Sequence, residues 1–359
     1  MKINNISLEN FRCYSAYRCS FNDKINVIIG RNAVGKTSLA EAVYVLGMCK
    51  SARISDDYAL INHKKKHFFL EGEFCSSTMN KYKISIGYDG AKKVVKKNQT
   101  LIKKMSDYIG VVDVVWFSAN DLFLLFGNPQ NRRANFDRIM CQISKVYVGA
   151  LSNYKKFLKE RNALLKRLIF ENRNEDRILL ESINEMLAEE AKKIIKIRYK
   201  TINKINEILR KMYDNNSIIK ELLKIEYCIN VGENEYLDVL KTTLDDDLKH
   251  GNTSKGPHKD DYIFIINNKN IVESGSQGQQ RNAILNMKLA EVELIYEVKK
   301  EYPILILDDV FSELDKTRKN MLINQMPNDV QIIITATSLA EIDNNIINNS
   351  NIISLEGDN

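Results

Sequence analysis

The chain has 359 residues, of which 44% are hydrophobic and 28% are charged. Such a chain is long enough to bury a sizeable core, and its length suggests two domains or one domain with a large insertion. Lysine and arginine exceed aspartate and glutamate by 53 to 46, which gives a formal net charge of +7. This mild excess permits nucleic acid as a partner without establishing it.

The sequence excludes several classes of protein. No apolar run approaches the roughly 18 residues of a membrane helix, and Met1-Lys2-Ile3-Asn4-Asn5 lacks the core of a signal peptide. The six cysteines are scattered without a C-x-x-C pair, and the four histidines do not lie near them at metal-ligand spacing. We therefore expect a cytoplasmic protein with no membrane partner, reduced thiols and no structural zinc.

The first hundred or so residues contain several β-branched runs and one helical run. We predict, in order, strand Ile3–Leu8, strand Ile25–Ile29, helix Thr37–Leu46, strand Phe68–Phe74 and strand Tyr82–Tyr88. Val111–Phe117 is mostly apolar and β-branched, as expected of a further buried strand.

Residues 30–37 form a complete G-x-x-x-x-G-K-[ST] loop between the second strand and the helix. The backbone N–H groups of such a loop surround phosphates, aided by the positive end of the helix. Lys36 would neutralise the β- and γ-phosphates of ATP, and the Thr37 hydroxyl would bind Mg²⁺. The predicted ATP-binding residues are Gly30, Arg31, Asn32, Ala33, Val34, Gly35, Lys36, Thr37 and Ser38.

From about Pro129 the pattern becomes helical. Apolar residues recur at a spacing of three to four over Asn131–Phe170 and again from Ile178 to about Tyr213, with a polar break between the two runs. We predict an antiparallel helical arm over residues 129–224, inserted in a head built from residues 1–128 and 225–359.

Strand patterns return after the arm. We predict strands Ile225–Val231, Tyr262–Ile266, Ile304–Leu307 and Gln331–Ala336, with helices over Tyr236–Lys249 and from Gln277 to about Lys300.

The strand Ile304–Leu307 is followed by Asp308 and Asp309. A buried strand that ends in aspartate is the Walker B arrangement, in which Asp308 would hold Mg²⁺. Asp309 lies where a general base or a water-positioning residue belongs. Together with Lys36, these two aspartates are the predicted catalytic residues.

The segment Gly275-Ser276-Gln277-Gly278-Gln279-Gln280-Arg281 opens the helix that precedes this strand. Serine and glycine at a helix N-terminus can bind an anion, although they also make an ordinary polar cap. The helix occupies the position of the ABC ATPase signature, Leu-Ser-Gly-Gly-Gln. In that class the signature contacts the γ-phosphate bound by a second subunit, so the resemblance implies ATP held between two copies. The corresponding residues are Ser276, Gly278, Gln279, Gln280 and Arg281, and Ser312 and Asp315 resemble the D-loop.

The order Walker A, long insertion, signature, Walker B and D-loop resembles the ABC-type ATPase heads of the SMC-like group, which have an α/β fold with a mixed β-sheet and helices. Further motifs narrow the resemblance to the RecF family of bacterial DNA replication and repair proteins, over nearly the whole chain. They are Leu8-Glu9-Asn10-Phe11-Arg12, Phe117-Ser118, Asp121-Leu122, Gly127, Pro129, Arg132-Arg133, Phe136-Asp137, Arg161-Asn162-Ala163-Leu164-Leu165-Lys166, Gly256-Pro257-His258-Lys259-Asp260-Asp261 and Leu307-Asp308-Asp309-Val310.

The resemblance implies a switch-like ATPase that dimerises with ATP and binds DNA at the single-strand/double-strand junctions of gaps. It also implies action with RecR and RecO to load RecA in DNA repair and replication restart. The sequence departs from the family at Lys259, usually arginine, and at Ala119-Asn120, usually Pro-Glu. Asp309 replaces the glutamate of most ABC enzymes and is shorter by one methylene, so we hypothesise slow hydrolysis.

Phosphate contacts by lysine and arginine would supply most of the affinity for DNA. For any one such residue, a solvated surface position is the more frequent explanation. The candidates are Lys64, Lys65, Lys66, Lys92, Lys93, Lys96, Lys97, Lys103 and Lys104, together with Lys192, Lys193, Lys196, Arg198 and Lys200 on the arm.

Three other functions fit parts of this pattern. Thr335-Ala336-Thr337 lacks the histidine of transporter ATPase subunits, and the helical insertion also argues against that class. An SMC-like structural protein requires long runs of heptads, which are absent. A P-loop small-molecule kinase would make the signature and D-loop accidental, and ATP-dependent dimerisation separates it from the main interpretation.

Overall fold

The structure is a computed structural model that describes residues 1–170, 174–215, 219, 221–314, 318–319, 322–323 and 325–356. The chain divides into two compact units. The first comprises Met1–Asp121 and Met287–Asn359, and the second comprises Leu122–Asn286.

The strands of the described residues, in chain order, are β1 Lys2–Phe11, β2 Tyr14–Ser20, β3 Ile25–Ile29, β4 Phe68–Cys75, β5 Lys81–Tyr88, β6 Lys93–Lys97, β7 Thr100–Leu101, β8 Val114–Ser118, β9 Leu223–Cys228, β10 Asp261–Ile266, β11 Lys269–Asn270, β12 Ile304–Asp308, β13 Ile332–Ala336 and β14 Ser350–Ser354.

The α-helices are α1 Lys36–Met48, α2 Met105–Tyr108, α3 Phe123–Phe126, α4 Pro129–Ile143, α5 Lys145–Phe170, α6 Asn174–Asn215, α7 Tyr236–Thr242, α8 Leu244–His250, α9 Ile271–Ser274, α10 Gln277–Lys299, α11 Val310–Glu313 and α12 Asn344–Asn348. Short 3-10 turns cover Asp57–Leu60, Ala119–Leu122, Pro257–Lys259 and Leu339–Glu341. Within the described part of the chain, no helix is both long enough and apolar enough to span a membrane.

The first unit packs helix α1 between two sheets. An antiparallel sheet has the order β2-β1-β4-β5-β6-β7, and a parallel sheet has the order β14-β3-β13-β12-β8. Helix α1 is apolar around most of its circumference, and a helix of that kind is stable when it is buried on all sides. Its side chains join one core with Phe74 and Ile86 of the first sheet and Ile306 and Ile333 of the second.

The parallel sheet decides where the functional residues meet. Strands β3, β13 and β12 are neighbours and run in one direction, so their carboxyl ends lie at the same edge. In the register of this sheet, Asp308 is paired with Thr335 on one side and with Ser118 on the other. The loop that begins at Gly30 leaves β3 at the same edge. Ligands of open α/β sheets bind at this edge.

The second unit contains the helices of the predicted arm and also a small β-sheet. Helices α5 and α6 are antiparallel, because Asn153 bonds Glu190, Arg161 bonds Asn184 and Arg167 bonds Asp176. The predicted helix Asn131–Phe170 is divided in the structure, since Ser144 has an extended backbone between α4 and α5. Residues 129–224 lie within this unit, which extends to Asn286 and includes the sheet β11-β10-β9.

Arg161 fixes the packing of α5 inside the second unit. Its side chain is fully buried, and Nη1 lies 2.7 Å from both Asp247 Oδ2 and Thr253 Oγ1. Nε donates to Asn184 Oδ1 of α6 at 2.8 Å. A buried cation requires such a set of partners, because burial removes the water that would otherwise solvate it.

We expect Arg161→Met to lower the free energy of unfolding by about 3–5 kcal/mol, because Asp247 is then a buried charge without a cation. Urea-induced unfolding followed by circular dichroism measures this loss. Lys156→Met is the control on the same helix. Lys156 lies 4.0 Å from Glu160, and their side chains are 68% and 44% exposed, so the expected loss is below about 1 kcal/mol. Equal losses in the two variants would contradict the assignment.

Candidate nucleotide-binding site

The loop between β3 and α1 is held in a shape that requires glycine at Gly35. This residue has φ 113°, in the left-handed region that other residues rarely adopt. A Cβ atom there would lie 2.6 Å from Tyr14 Oη and 2.7 Å from Cys13 Sγ. Tyr14 Oη donates to the Gly35 carbonyl at 3.1 Å. Strand β2 therefore supports the loop from behind.

Lys36 is nearly buried and folds back onto the loop. Its Nζ donates to the carbonyls of Gly30 at 2.9 Å and Arg31 at 3.0 Å. These two bonds place the ammonium group inside the curve of the loop, where the sequence predicts the phosphates. Neutral carbonyls are weaker partners for this cation than phosphate oxygens, since charge-assisted hydrogen bonds are about twice as strong.

The predicted Mg²⁺ residues are in direct contact. Thr37 Oγ1 donates to Asp308 Oδ1 at 2.8 Å. Thr335 Oγ1 donates to the same carboxylate oxygen at 3.0 Å. Both Walker segments therefore meet at the carboxyl edge of the parallel sheet.

Burial raises the pKa of Asp308, because a low-polarity environment disfavours the charged carboxylate. The hydrogen bonds from Thr37 and Thr335 oppose this shift, and the nearby charge of Asp309 adds to it. The carboxylate thus depends on its two hydroxyl donors for stabilisation.

Thr335 is a site residue that the motifs did not reveal. Besides bonding Asp308, its Oγ1 accepts the backbone N–H of Asp309 at 2.9 Å. Asp309 has φ 52° and an exposed side chain, so β12 turns sharply after Asp308. The signal available in the sequence was the position of Thr335 on the strand beside Walker B, but the register that pairs it with Asp308 is a property of the fold.

A cavity of about 720 Å³ opens beside the loop in the first unit. It is lined at the ends of β3, β13 and β14 by residues that include Gly30, Arg31, Thr337, Ser338 and Glu356. The carboxyl edge of the sheet is therefore open next to the glycine-rich loop, as a ligand site at this edge requires.

The signature residues begin α10 and belong to the second unit at that end. The Ser276 N–H donates to Gln279 Oε1 at 2.7 Å, and the Gln279 N–H is 3.3 Å from Ser276 Oγ. This reciprocal pair is a capping box. Gln280 is buried and donates to the Gly275 carbonyl at 3.1 Å, while Gly278 and Arg281 lie in the first turn. The segment thus caps its own helix.

The D-loop residues are described in part. Ser312 lies in α11 and its Oγ donates to the Asp309 carbonyl at 2.7 Å. Asp315 lies outside the described residues.

The candidate DNA lysines of the first unit fall into two groups. Lys64, Lys65, Lys66, Lys92 and Lys96 have exposed side chains. Lys93 lies 2.7 Å from Asp57 Oδ2 and donates to the Cys49 carbonyl at 2.6 Å. The Nζ of Lys97 lies 4.5 Å from the centre of the Tyr82 ring. Lys93 and Lys97 are therefore engaged within the unit. On the arm, Arg198 is buried and paired with Asp137 and Asp260.

Comparison with known proteins agrees with this geometry. A family model described as AAA ATPase domain matches residues 1–336. The chain is 39% identical over 364 residues to the DNA replication and repair protein RecF of Bacillus cereus (strain G9842), with 98% of this chain and 96% of the relative covered. It is 40% identical over 354 residues to RecF of Bacillus anthracis (strain CDC 684 / NRRL 3495), with 96% and 94% covered.

Solved structures show the same likeness. The recombination mediator protein RecF-ATP in the RecFOR pathway superposes with a TM-score of 0.88 at 34% identity, covering 95% of this chain and 93% of that one. An SMC head bound to the C-winged helix domain of ScpA has 15% identity and a TM-score of 0.53, covering 98% and 93%, and shares the fold alone. With an ABC-type α/β ATPase fold and these relatives, the chain belongs to the RecF family of DNA replication and repair proteins.

Proposed function

We propose that the protein is an ATP-dependent, DNA-binding recombination mediator that acts in the cytoplasm. As a RecF family member with an AAA ATPase domain, it is an ATPase. The observation that carries the proposal is the contact of Thr37 with Asp308, which joins both Walker segments at the mouth of the loop. The solved relatives are described as recombination mediators of the RecFOR pathway, which supports RecR and RecO as partners, with RecA loaded downstream.

The proposal assigns a role to each of the candidate site residues of the first unit. The loop Gly30–Ser38 binds the phosphates of ATP, and Lys36 exchanges its carbonyl partners for the β- and γ-phosphates. Thr37 and Asp308 present oxygen ligands of the kind Mg²⁺ prefers, and the ion would neutralise phosphate charge there. Thr335 holds Asp308 and the Asp309 backbone in place. Asp309 positions the attacking water from a short side chain, which supports slow turnover.

The signature supports an ATP-dependent homodimer. Ser276, Gly278, Gln279, Gln280 and Arg281 would meet the ATP of a second copy, and Ser312 and Asp315 are the proposed D-loop residues. The capping box leaves the remaining N-terminal N–H groups of α10 for phosphate oxygens, which suits an anion site.

We propose that the protein binds DNA where duplex and single-stranded segments meet, at the junctions of gaps. The exposed lysines Lys64, Lys65, Lys66, Lys92 and Lys96 are the proposed phosphate contacts. A Cβ placed on Gly90 would lie 3.4 Å from the Lys66 carbonyl, so the loop of Lys64–Lys66 lies beside the turn of Lys92. Lys93 and Lys97 are not included, because their ammonium groups are already engaged.

We expect Lys36→Met to weaken ATP binding at least tenfold, or about 1.4 kcal/mol, because the phosphates lose their buried cation. Titration with a fluorescent ATP analogue measures binding. Light scattering with a gapped duplex, with ATP or ADP, measures dimer formation and DNA binding in the same samples. ATP, but not ADP, should raise the mass of the DNA-bound species, and Lys36→Met should abolish this ATP-dependent increase.

Lys24→Met is the control, because Lys24 is an exposed lysine of the same unit and the variant has the same net charge. It should match the wild type in ATP binding and dimer formation. DNA binding and oligomeric state that do not respond to the nucleotide would show that the ATP switch is wrong.

We expect Thr335→Val to lower kcat about tenfold and to shift the acid limb of the pH–rate profile upward by about half to one pH unit. Burial already raises the pKa of Asp308, and the variant removes a hydroxyl that opposes the shift. The carboxylate is then protonated, and activity lost, at a higher pH than in the wild type. Steady-state ATP hydrolysis between pH 5 and 9 measures both effects.

Thr335→Ser keeps the hydroxyl and should restore the wild-type profile. A Thr335→Val profile that coincides with the wild type would remove Thr335 from the site.

A further inference from the structure

Helix α6 carries one exposed stripe on which the charges are sorted by sign. Glu181, Glu185 and Glu189 come first, and Lys192, Lys196 and Lys200 follow; all six side chains are exposed. Residues three or four apart share a helix face, so the six lie in one band about 100° wide and about 28 Å long. The opposite face of α6, which includes Leu187, Ala191 and Ile194, is buried. We call this band the α6 stripe.

The order of charges in the α6 stripe is unfavourable for an isolated chain. Each half places like charges four residues apart, and such pairs destabilise a helix. Elsewhere on the same helix, opposite charges are paired at a spacing of three, as in Lys193 with Glu190 at 3.0 Å and Lys204 with Glu207 at 3.3 Å. Among the described residues, no ion pair or side-chain hydrogen bond involves any of the six stripe residues. Their charges are therefore not neutralised by any residue that the structure describes.

The stripe is self-complementary. Its midpoint lies between Glu190 and Ala191, and each glutamate has a lysine at the same distance on the other side of that point. If a second α6 lies antiparallel with its midpoint against the first, every glutamate lies at the same level along the helix axis as a lysine. The matched pairs are Glu189 with Lys192, Glu185 with Lys196 and Glu181 with Lys200. A two-fold interface requires this kind of pattern, because residue i contacts j and j contacts i.

We propose that the α6 stripe is a self-recognition surface, through which a second copy of the chain pairs antiparallel. Charge complementarity selects this partner. Tyr199 also belongs to the stripe and is 56% exposed, and the same two-fold pairing places it opposite Ser182, which is small enough to be covered by the ring. Nucleic acid is a poorer partner for this surface, because three glutamates in the same band repel phosphates.

The pairing is weak and sensitive to salt. Exposed ion pairs contribute little individually, and an ionic strength of 1 M reduces the screening length to about 3 Å. It requires no nucleotide, so it is separate from ATP-dependent dimerisation. Association should therefore be measured without nucleotide, at low salt, in the Lys36→Met background.

Two triple variants test the proposal by sedimentation equilibrium of the full chain. The all-positive variant carries Glu181→Lys, Glu185→Lys and Glu189→Lys, and the all-negative variant carries Lys192→Glu, Lys196→Glu and Lys200→Glu. Each alone should be monomeric, because its copies repel. An equimolar mixture should form a heterodimer, and a chain carrying all six changes should associate as well as the parent. Raising the salt to 0.5 M should weaken the mixed dimer at least tenfold.

A matched control separates the stripe from net charge. Lys155→Glu, Lys156→Glu and Lys159→Glu make the same change in charge on exposed positions of α5, and this variant should associate like the parent. Circular dichroism of every variant checks that α6 is folded. A parent chain that stays monomeric, or triple variants that fail to associate when mixed, would overturn the proposal. Loss of DNA binding in the all-negative variant without any change in mass would assign the lysines to nucleic acid instead.

Discussion

The hydrogen bond from Thr37 to Asp308 joins residues 271 positions apart, and the fold is arranged around that contact. It forms because β3, β13 and β12 are adjacent and parallel, which brings their carboxyl ends to one edge. The chain leaves this unit after Asp121 and returns at Met287, so the second unit is inserted between β8 and β12 without interrupting the sheet. The candidate nucleotide site consequently depends on strands from both ends of the sequence.

The local parts of this site could be predicted from sequence, because each is encoded in a short segment. The strand Ile25–Ile29, the loop that follows it and the strand ending at Asp308 are confirmed. The break of the helix at Ser144 was missed, because apolar spacing continues across it, although Ser144 Oγ accepts the Tyr147 N–H at 3.2 Å and so caps α5. Thr335 was missed as a site residue for a related reason: its importance comes from strand register, which no local pattern encodes.

The basic residues show more clearly that the role of a side chain cannot be predicted from a local sequence pattern. Lys93 and Lys96 lie three positions apart on β6, yet they point to opposite faces because side chains alternate along a strand. Lys93 is paired with Asp57, whereas Lys96 is exposed. On the arm, Arg198 is buried among carboxylates while Lys200, two positions later, faces solvent. Composition does not distinguish these basic residues from one another. In the structure, the buried ones form ion pairs within the protein, whereas the exposed ones are available to bind a partner.

The charges of the α6 stripe add a second proposed contact between chains, besides the one around ATP. The stripe would pair two chains whatever nucleotide is present, whereas the signature would pair two chains only around ATP. Each is proposed as a two-fold interface, and a chain that uses the two with different partners binds two neighbours. If neighbouring chains are joined in turn by the ATP contact and the arm contact, they form an open array. A closed assembly then requires a ring, such as one of four chains. ATP then controls how many chains are joined, because the arm contact alone stops at two.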